Sequence, residues 1–341
     1  MHSVIIGFGK YLPRYRIRTE EIAKHWQQDA AHITQSLGIE EKTVPAENED
    51  SFTFAYEAAK QAIEVANIPS SEISACFVGS ESHPYAVKPT SGMLVSALEL
   101  HPFSHAADLE FACKAGTAAM QIVDSFIRSK QIEYGLAIGT DRAQAKAGDA
   151  LEYSAAAGAA ALLLGSEKHE NALCRMDHTL SFTTDTPDFW RSEGASHPEH
   201  AGRFTGEPGY FSHMRETISG LLTATHSSLP AIHHVVLHMP NAKFPKKIMK
   251  EFGCTDAQVA HGFIVPTIGN TYSACSLLGL VNVLQHAKKE ERIMLVSYGS
   301  GAGCDAFLMT MLRHGMTLSE ERRDLEYVSY SKYSQLVQSH Q

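Results

Sequence analysis

The chain has 341 residues, of which 44% are hydrophobic and 20% charged, a composition typical of a globular protein with an ordinary core. Its formal net charge is -9 and it contains no block of Lys or Arg, so nucleic acid is not an expected partner. We expect no signal peptide and no membrane span, because no apolar run approaches the roughly 20 residues that a span requires. The six cysteines form no CxxC pair, which predicts reduced thiols in a cytoplasmic protein and no metal site.

Strand and helix patterns alternate along the first half of the chain. Residues 3–9 form an apolar run that predicts a buried strand, and Thr19 is the predicted cap of a first helix. A second helix is predicted over 51–66 with Ser51 as its cap, because apolar side chains recur there at helical spacing. The further elements predicted in this half are strands over 73–79, 134–139 and 159–164 and a helix over 92–100.

The second half begins with a long polar segment and then returns to the same alternation. Residues 178–210 are rich in Pro, Gly and aromatic residues, which predicts an ordered loop with a hairpin that covers a site. A helix over 210–225 follows. The remaining predicted elements are strands over 235–238, 292–299 and 305–312, the last of them antiparallel, and helices over 245–252 and 276–287.

The order of these elements predicts a duplicated α/β protein. Strands that alternate with helices favour βαβ units, so mostly parallel pairing is expected. We expect an N-terminal half over 1–167 and a C-terminal half over 168–312. The polar extension over 313–341 is expected either to contact a dimer partner or to be loosely ordered.

Cys113 stands where a short apolar run gives way to an Ala-rich segment with helical spacing. A helix N-terminus offers unsatisfied N–H groups and the positive end of a dipole, so we expect the pKa of this thiol to be lowered. The small neighbours Ala112, Ala115 and Gly116 leave room for an acyl group. Cys113 is therefore a candidate acyl acceptor, and the alternative is a buried cysteine that packs as a small hydrophobe.

Eight long motifs occur in the order in which a known family has them. They are GSESHPYAVKP over 79–89, EFACKAGT over 110–117, DALEYSAAAG over 149–158, SFTTDTPDFWR over 181–191, GRFTGEP over 202–208, HMPNAKFP over 238–245, GNTYS over 269–273 and SYGSGAG over 297–303. With these motifs the chain resembles hydroxymethylglutaryl-CoA synthase of the compact archaeal type, within the thiolase superfamily. The resemblance covers residues 1 to about 312, and Met239, Cys275 and the tail depart from the pattern.

This resemblance implies a fold, a reaction and a set of partners. The fold would be an αβαβα five-layered thiolase-like α/β fold with duplicated halves, in a homodimer. The reaction would be the cytoplasmic condensation of acetyl-CoA with acetoacetyl-CoA, a step of the mevalonate pathway to isoprenoids, with CoA thioesters as substrates and no cofactor. The partners would be an acetoacetyl-CoA thiolase and a small zinc-ribbon/OB-fold protein.

Three residues are the candidates for the chemistry. Cys113 would carry an acetyl group as a thioester. Glu81 follows a predicted strand, where burial would raise its pKa and suit it as the general base that removes a methyl proton. His238 ends another predicted strand and would act as general acid, with activation of Cys113 or of the departing CoA thiol as further roles. The alternatives are a surface carboxylate for Glu81 and a structural role for His238.

Two further groups of residues would bind the substrates. Asn270 and Ser300 are candidates to hydrogen-bond the acetoacetyl carbonyl or the terminal carboxylate, and backbone N–H groups at Cys113 and in the turn 299–301 would stabilise an enolate oxygen. By the resemblance, the acyl pocket would also contain Asp29, Ala30, Ser154 and Thr205. The candidates for the CoA phosphates are Lys243 and Lys247, one helical turn apart, and Arg203, unless these are ordinary solvated charges.

Other functions remain open on the sequence. A ketosynthase-III-like condensing enzyme or acyltransferase would share the fold, but such enzymes usually pair Cys with His and Asn or with two His, so Glu81 favours the synthase. A non-catalytic scaffold subunit of a thiolase complex would have no need of Cys113, Glu81 and His238. A dinucleotide-binding loop at 300–303 is disfavoured, because a strand rather than a helix is predicted to follow it.

Overall fold

The computed structural model describes residues 2–301, 303–319 and 324–338. The strands of the first half are β1 (Ser3–Tyr11), β2 (Tyr15–Arg18), β3 (Glu41–Val44), β4 (Ile73–Gly79), β5 (His105–Leu109), β6 (Tyr134–Arg142) and β7 (Ala157–Ser166). Those that follow are β8 (Cys174–Thr183), β9 (Phe189–Trp190), β10 (Glu199–His200), β11 (His234–Leu237), β12 (Arg292–Gly299), β13 (Gly303–Met311) and β14 (Glu326–Tyr327).

The α-helices lie between these strands. They are α1 (Thr19–His25), α2 (Ala30–Leu37), α3 (Ser51–Ala66), α4 (Thr90–Ala97), α5 (Ala115–Arg128), α6 (Gly202–Phe204), α7 (Phe211–Ala224), α8 (Lys243–Phe252), α9 (Asp256–Val259), α10 (Val265–Ile268), α11 (Cys275–His286) and α12 (Tyr330–Gln338). Most predicted elements of the central part are therefore present within two or three residues of their expected ends.

Nine of the described strands form one sheet in the order β11-β12-β13-β8-β1-β7-β6-β4-β5. In the second half β11 runs parallel to β12, and β12, β13 and β8 are antiparallel neighbours. In the first half β4 runs parallel to β6, and β6, β7 and β1 are antiparallel neighbours. The two halves share this order and these directions, which supports the predicted division at 167 and 312; that division stays a prediction.

The expectation of mostly parallel pairing is wrong. Among the strand pairs described in the large sheet, only β4–β5, β4–β6 and β11–β12 are parallel. The reason is that β6 and β12 are each followed along the chain by an antiparallel neighbour, β7 and β13, whereas the sequence pattern carries no information about which strands pair.

Five layers result because the two halves of this sheet, joined by the short pairing of β1 with β8, both pack against α5 and α11. Helices α5 and α11 contribute Met120, Val123, Leu277 and Leu280 to one core with residues of both halves. Helices α3 and α4 cover the outer face of the first half, and α7 and α8 cover that of the second. Helix α11 is apolar on nearly every side because it lies in the middle layer. The predicted αβαβα arrangement is confirmed.

Several local predictions are wrong in their detail. Asp50, rather than Ser51, caps α3 in a capping box with Thr53, and the Ser51 hydroxyl donates to the carbonyl of Ser82 instead. The Thr19 hydroxyl likewise donates to the distant Ile39 carbonyl at 2.8 Å. Residues 178–183 belong to β8 because they pair with β13, so the site-covering segment is shorter than 178–210. The predicted hairpin within it is present as β9 and β10.

The extension 313–341 includes residues 320–323 and 339–341, which lie outside the described residues. Its described part is ordered, so the expectation of a loosely ordered extension is wrong, whereas contact with a dimer partner stays a prediction. Strand β14 pairs with β2, and Tyr333 and Leu336 of α12 are buried against the first half of the same chain. The resemblance ended at residue 312, so no sequence pattern was available to place this segment.

Gly79 is the last residue of β4, and a Cβ there would overlap the backbone of Ala115 and Gly116 at the start of α5. We expect Gly79→Ala to lower the free energy of unfolding by about 3 kcal/mol or more, because neither backbone can withdraw from the core. Denaturant unfolding measures this. Gly220→Ala within α7 is the control, since its nearest neighbour would lie 3.7 Å away and the change should be neutral or stabilise by about 0.5–1 kcal/mol. Similar stability of both variants would contradict the inferred close approach.

Candidate active site

The close approach of β4 to α5 brings Glu81 against Cys113. The Cys113 thiol donates a hydrogen bond to Glu81 Oε1 over 3.0 Å, although the two residues are 32 positions apart in the chain. Cys113 is only 4% exposed and packs with Ala155 and Tyr272. The two residues predicted as nucleophile and base therefore form one hydrogen-bonded pair.

The turn that presents Cys113 is strained. Ala112 has a φ of 43°, in the left-handed region that costs a residue with a Cβ about 1–2 kcal/mol. Its carbonyl accepts hydrogen bonds from the Ser273 hydroxyl at 3.1 Å and from the backbone N–H of Ala115 at 3.1 Å. The second half of the chain, which supplies Ser273, therefore helps to hold the nucleophile in position.

Burial raises the pKa of both Glu81 and Cys113. Burial and the charge of Asp141 raise the pKa of Glu81 to about 8, against the hydrogen bond from Cys113 and the charge of Arg191. Burial and the neighbouring Glu81 carboxylate raise the pKa of the Cys113 thiol well above its ordinary value. The expected lowering of this thiol pKa is therefore wrong, because burial and the carboxylate outweigh the dipole of α5. The pair shares one proton more readily than it loses two.

Asp141 is a central residue of the site that the sequence analysis did not name. Its buried carboxylate accepts hydrogen bonds from the Ser80 and Ser82 hydroxyls and from the backbone N–H of Glu81 through Oδ1. Through Oδ2 it accepts from the backbone N–H of Ser273 at 2.8 Å. An acidic residue just beyond the predicted buried strand 134–139 was the available signal. Asp141 thus fixes Glu81 and the turn that supports Cys113 to each other.

A buried ion pair also joins the nucleophile loop to the second half. Lys114 Nζ lies 2.9 Å from Asp305 Oδ1, and both side chains are almost completely buried. Asp305 also accepts hydrogen bonds from the hydroxyls of Thr117 and Ser181, so its charge is well compensated. Breaking such a pair would leave a buried charge without a partner, which is strongly destabilising. Lys114 is therefore held in one position and supports the neighbouring Cys113.

His238 lies at the carboxyl end of β11, the position in the second half that corresponds to Glu81 after β4 in the first. Burial lowers its pKa to about 3, so the imidazole is neutral at pH 7. No described residue hydrogen-bonds either ring nitrogen, and the backbone is held by Tyr210 and Val296. The described contacts do not join His238 to the Cys113–Glu81 pair. A neutral ring with two unpartnered nitrogens is able to donate through one and accept through the other.

Asn270 and Ser154 are brought together beside the cysteine. The Asn270 N–H donates to the Ser154 carbonyl at 2.7 Å, and the Asn270 carbonyl accepts from Ala156 at 2.9 Å. The side-chain oxygen of Asn270 accepts from the backbone N–H of Tyr272, which packs on Cys113. These backbone contacts fix the loop of Asn270 next to the nucleophile.

The turn with Ser300 lies directly against the nucleophile loop. A Cβ on Gly299 would lie 2.7 Å from the Phe111 carbonyl oxygen, so only glycine allows this approach. The Gly301 N–H donates to Asp188 at 2.7 Å. This donor is engaged, so the expectation that the Gly301 N–H would serve an enolate oxygen is wrong.

The hairpin of β9 and β10 covers this region, as the sequence predicted for its segment. Phe189 packs against Tyr272 with ring centroids 6.2 Å apart, and Arg191 donates to the Glu81 carbonyl at 3.0 Å. His200 lies 2.9 Å from Asp149 and anchors the far strand. Arg191 was within a quoted motif, but nothing in the sequence indicated that it would reach Glu81.

The remaining predicted site residues lie elsewhere. Asp29 is exposed and caps α2 by accepting from the His32 N–H, with Ala30 as the first residue of that helix. Thr205 follows α6, which contains the exposed Arg203. Lys243 and Lys247 are exposed on α8, as expected from their spacing. No described contact joins these six residues to Cys113.

Lys247 nevertheless borders the segment that follows Arg203. Its ammonium lies 4.0 Å from the centre of the Phe211 ring, and its charge lowers the pKa of Glu207 together with Arg215. Within the described part of the chain, no group of three or more His, Cys, Asp or Glu is arranged to hold a metal ion. None of the helices in the described ranges is long and apolar enough to cross a membrane.

The duplicated five-layer fold, with a cysteine hydrogen-bonded to a carboxyl group where its halves meet, defines a thiolase-fold condensing enzyme. Residues 222–311 match the family model described as 3-oxoacyl-[acyl-carrier-protein (ACP)] synthase III C terminal. A crystal structure of HMG-CoA synthase complexed with CoA covers 98% of this chain and 90% of its own, with a TM-score of 0.88 and 21% identity. MvaS in complex with 3-hydroxy-3-methylglutaryl coenzyme A covers 99% of this chain and 92% of its own, with a TM-score of 0.86 and 23% identity.

Comparison with a related sequence identifies the family more specifically than these comparisons of folds. The hydroxymethylglutaryl-CoA synthase of Archaeoglobus fulgidus is 52% identical over 303 residues, which are 89% of this chain and 87% of that protein. The chain belongs to the hydroxymethylglutaryl-CoA synthase family, and the resemblance inferred from its motifs is confirmed.

Asp141→Asn tests the electrostatics of the site. The Asp141 charge raises the pKa of both Glu81 and Cys113, so its removal should move the pH of half-maximal Cys113 alkylation down by about one unit. The free energy of unfolding should fall by about 1–3 kcal/mol, because the new amide would face an N–H or hydroxyl donor. Alkylation followed by mass spectrometry measures the first effect. The exposed Asp256→Asn is the control, and an unchanged alkylation profile in Asp141→Asn would contradict this account.

Proposed function

We propose that this protein condenses acetyl-CoA with acetoacetyl-CoA and water to 3-hydroxy-3-methylglutaryl-CoA and CoA. The observation that carries the proposal is the 3.0 Å hydrogen bond from Cys113 to Glu81, a nucleophile beside a base of raised pKa. Membership of the family supports the same reaction, and the structurally similar MvaS binds the proposed product, 3-hydroxy-3-methylglutaryl coenzyme A. CoA thioesters are substrates in this scheme, and no further cofactor is required.

In the first step Cys113 attacks the carbonyl carbon of acetyl-CoA. The thiol proton passes to the Glu81 carboxylate, to which it already points, and from Glu81 to the departing CoA thiolate. A carbon–sulfur bond to CoA breaks as the bond to Cys113 forms, so the acetyl group ends as an enzyme thioester. Glu81 is again a carboxylate when this step is complete.

In the second step Glu81 removes a proton from the acetyl methyl group. A base with a pKa near 8 is well matched to this task, and burial of the pair excludes water that would compete for the proton. The resulting enolate attacks the ketone carbon of acetoacetyl-CoA. The alkoxide that forms needs one proton, which is the proton that Glu81 has just taken.

We assign His238 to the alkoxide. Its imidazole is neutral because burial lowers its pKa to about 3, so it donates a hydrogen bond and relays a proton rather than delivering one from a resting imidazolium. Its two unpartnered nitrogens support this role. Water then hydrolyses the thioester to Cys113, which releases a free carboxylate and restores the thiol.

The acyl pocket and the CoA site are assigned from neighbouring contacts, exposed cations and family resemblance. Asn270 and Ser300 border the nucleophile loop and are proposed to bind the acetoacetyl group, and Ser154 contacts Asn270. Asp29, Ala30 and Thr205 are assigned to the pocket by family resemblance alone. The exposed cations of Arg203, Lys243 and Lys247 are proposed to bind the CoA phosphates.

A homodimer is proposed on the basis of an exposed edge. Strand β5 ends the large sheet, and no described strand pairs with its outer side. Large apolar side chains are exposed nearby in sequence, with Val87 94% and Phe103 89% exposed. A cytoplasmic location and a complex with an acetoacetyl-CoA thiolase and a zinc-ribbon/OB-fold protein are proposed from family resemblance, as are the mevalonate pathway and isoprenoid synthesis.

The competing functions make different predictions for the same pair. A ketosynthase-III-like enzyme would form the acetyl adduct but would ignore acetoacetyl-CoA as acceptor. A scaffold subunit would form no adduct, even when a thiolase is added. The family model over 222–311 is compatible with the first alternative, but the identity of 52% to a hydroxymethylglutaryl-CoA synthase favours the proposed reaction.

Intact-mass analysis after incubation with acetyl-CoA, followed by a chase with acetoacetyl-CoA, tests the reaction. The wild type should gain an acetyl group on Cys113 and lose it in the chase as hydroxymethylglutaryl-CoA forms. Glu81→Gln should still acetylate, although more slowly, because the lower Cys113 pKa that follows loss of the carboxylate charge partly offsets the lost proton transfer through Glu81. Condensation should fall much further, about 10²–10⁴-fold, because no carboxylate remains to remove the methyl proton. Cys113→Ala should form no adduct. An equal loss of both steps in Glu81→Gln would rule out Glu81 as the carbon base.

Replacing Lys243 and Lys247 together with alanine tests the CoA site. We expect the KM for the CoA thioesters to rise about tenfold with kcat nearly unchanged, because phosphate contacts far from the reacting carbon contribute uniform binding. Steady-state kinetics measures this. The matched control is Lys246→Ala with Lys250→Ala, which removes the same charge from the same helix. Equal KM values for the two double variants would place the phosphates at another surface.

A further inference from the structure

The C-terminal segment 324–338 lies across the first half of the chain rather than apart from it. Strand β14 runs parallel to β2, and Val328, Tyr333 and Leu336 pack in one cluster with Ile17 and Tyr153. The segment lies outside the family motifs, and the reaction described above does not use it. Its contacts, however, lead toward the active site.

Lys42 is the first link in this path. The side chain is buried with 2% exposure, and its three ammonium donors contact the carbonyls of Glu152 and Ala155 and the hydroxyl of Tyr333 in α12. The contact to Ala155 is 2.8 Å and that to Tyr333 is 3.0 Å. A buried lysine is stable only when its donors are satisfied in this way. Lys42 therefore joins the C-terminal helix to the segment 152–155.

Glu152 holds the same segment through its side chain. Its buried carboxylate accepts from the Trp26 indole at 2.9 Å and from the Gly148 N–H at 2.8 Å through one oxygen. The other oxygen accepts from the Tyr330 hydroxyl at 2.9 Å. Residue 152 is thus tied to α12 twice, through its carbonyl by way of Lys42 and through its carboxylate by way of Tyr330.

Polar contacts add to the apolar packing that holds α12 in place. A cavity of about 410 Å³ lies beside this helix, and a second of about 270 Å³ also borders it. Tyr333 and Val337 line both cavities. Because these spaces flank the helix, polar contacts fix its place, and Arg142 adds one more by donating to the Leu336 carbonyl.

The segment that Lys42 and Glu152 hold forms one wall of the active site. Ala155 packs on Cys113, and Ser154 and Ala156 make the two backbone hydrogen bonds that fix Asn270. A shift of this segment would move Asn270 directly. Cys113 is separately supported by Lys114 and Ser273, so it would move less.

We propose that the C-terminal segment is a clasp that positions Asn270 for the second substrate, with Lys42 and Tyr333 as positioning residues. This inference rests on the proposed function in assigning acetoacetyl-CoA to Asn270. Loss of the clasp should therefore impair the condensation step far more than acetylation of Cys113.

The test uses the full-length variants Lys42→Met and Tyr333→Phe, with Lys332→Met as the control because that lysine is exposed on α12. Acetylation of Cys113 is followed by intact mass, and the KM for acetoacetyl-CoA by steady-state kinetics. We expect acetylation within about twofold of wild type and a KM for acetoacetyl-CoA raised about tenfold in Lys42→Met, with a smaller rise in Tyr333→Phe. Lys332→Met should match the wild type in both measurements.

Two results would overturn the clasp. An equal loss of acetylation and condensation would show that Lys42 has a merely structural role. Unchanged kinetics in both variants would show that α12 does not influence the position of Asn270. Tyr333→Phe removes one hydroxyl only, so if Lys42→Met does not fold, acetylation and the KM for acetoacetyl-CoA are compared in Tyr333→Phe instead. A wild type that forms no acetyl adduct or ignores acetoacetyl-CoA would contradict the proposed function itself, which separates the two failures.

Discussion

The buried carboxylate of Asp141 is the constraint on which the site depends. It joins the loop of Glu81 to the loop of Ser273, and Ser273 in turn supports the strained turn before Cys113. Glu81 and Cys113 come from distant parts of the sequence, so a fixed link between the loops that support them is needed to keep their hydrogen bond at 3.0 Å. A buried charge serves this purpose well, because each unsatisfied hydrogen bond would be costly in the interior.

The chemistry follows from the same burial. Burial raises the pKa of both the Glu81 carboxyl and the Cys113 thiol, and the nearby charges of Asp141 and Glu81 raise them further, so both groups hold their protons more tightly than in water. Such a base is stronger than an exposed glutamate and suits removal of a weakly acidic methyl proton. His238 experiences the opposite effect, since burial keeps the imidazole neutral. One physical cause, exclusion of solvent, therefore favours the uncharged form of all three side chains.

The contacts that hold the site in place come from two different parts of the chain. Lys114 and Asp305 join the nucleophile loop to the second half, and the hairpin with Phe189 and Arg191 covers the pair from the same side. The wall that carries Ala155 is held instead by Lys42 and the C-terminal helix. Cys113 and Asn270 thus depend on different supports, which makes it possible for the two half-reactions to respond separately to a substitution.

The sequence by itself determined most of the elements and the family, because buried strands and helices have distinct hydrophobic periods and the motifs are long. It also named Cys113, Glu81 and His238 as the candidates for the chemistry. It misjudged the strand directions and the ionisation of Cys113, since both depend on neighbours that are remote in the chain. Asp141 was visible only as an acidic residue after a strand. The roles of Lys42 and the tail had no local pattern at all. Only the tertiary structure decided these points, because pairing, burial and the partners of a charge are properties of the packed chain.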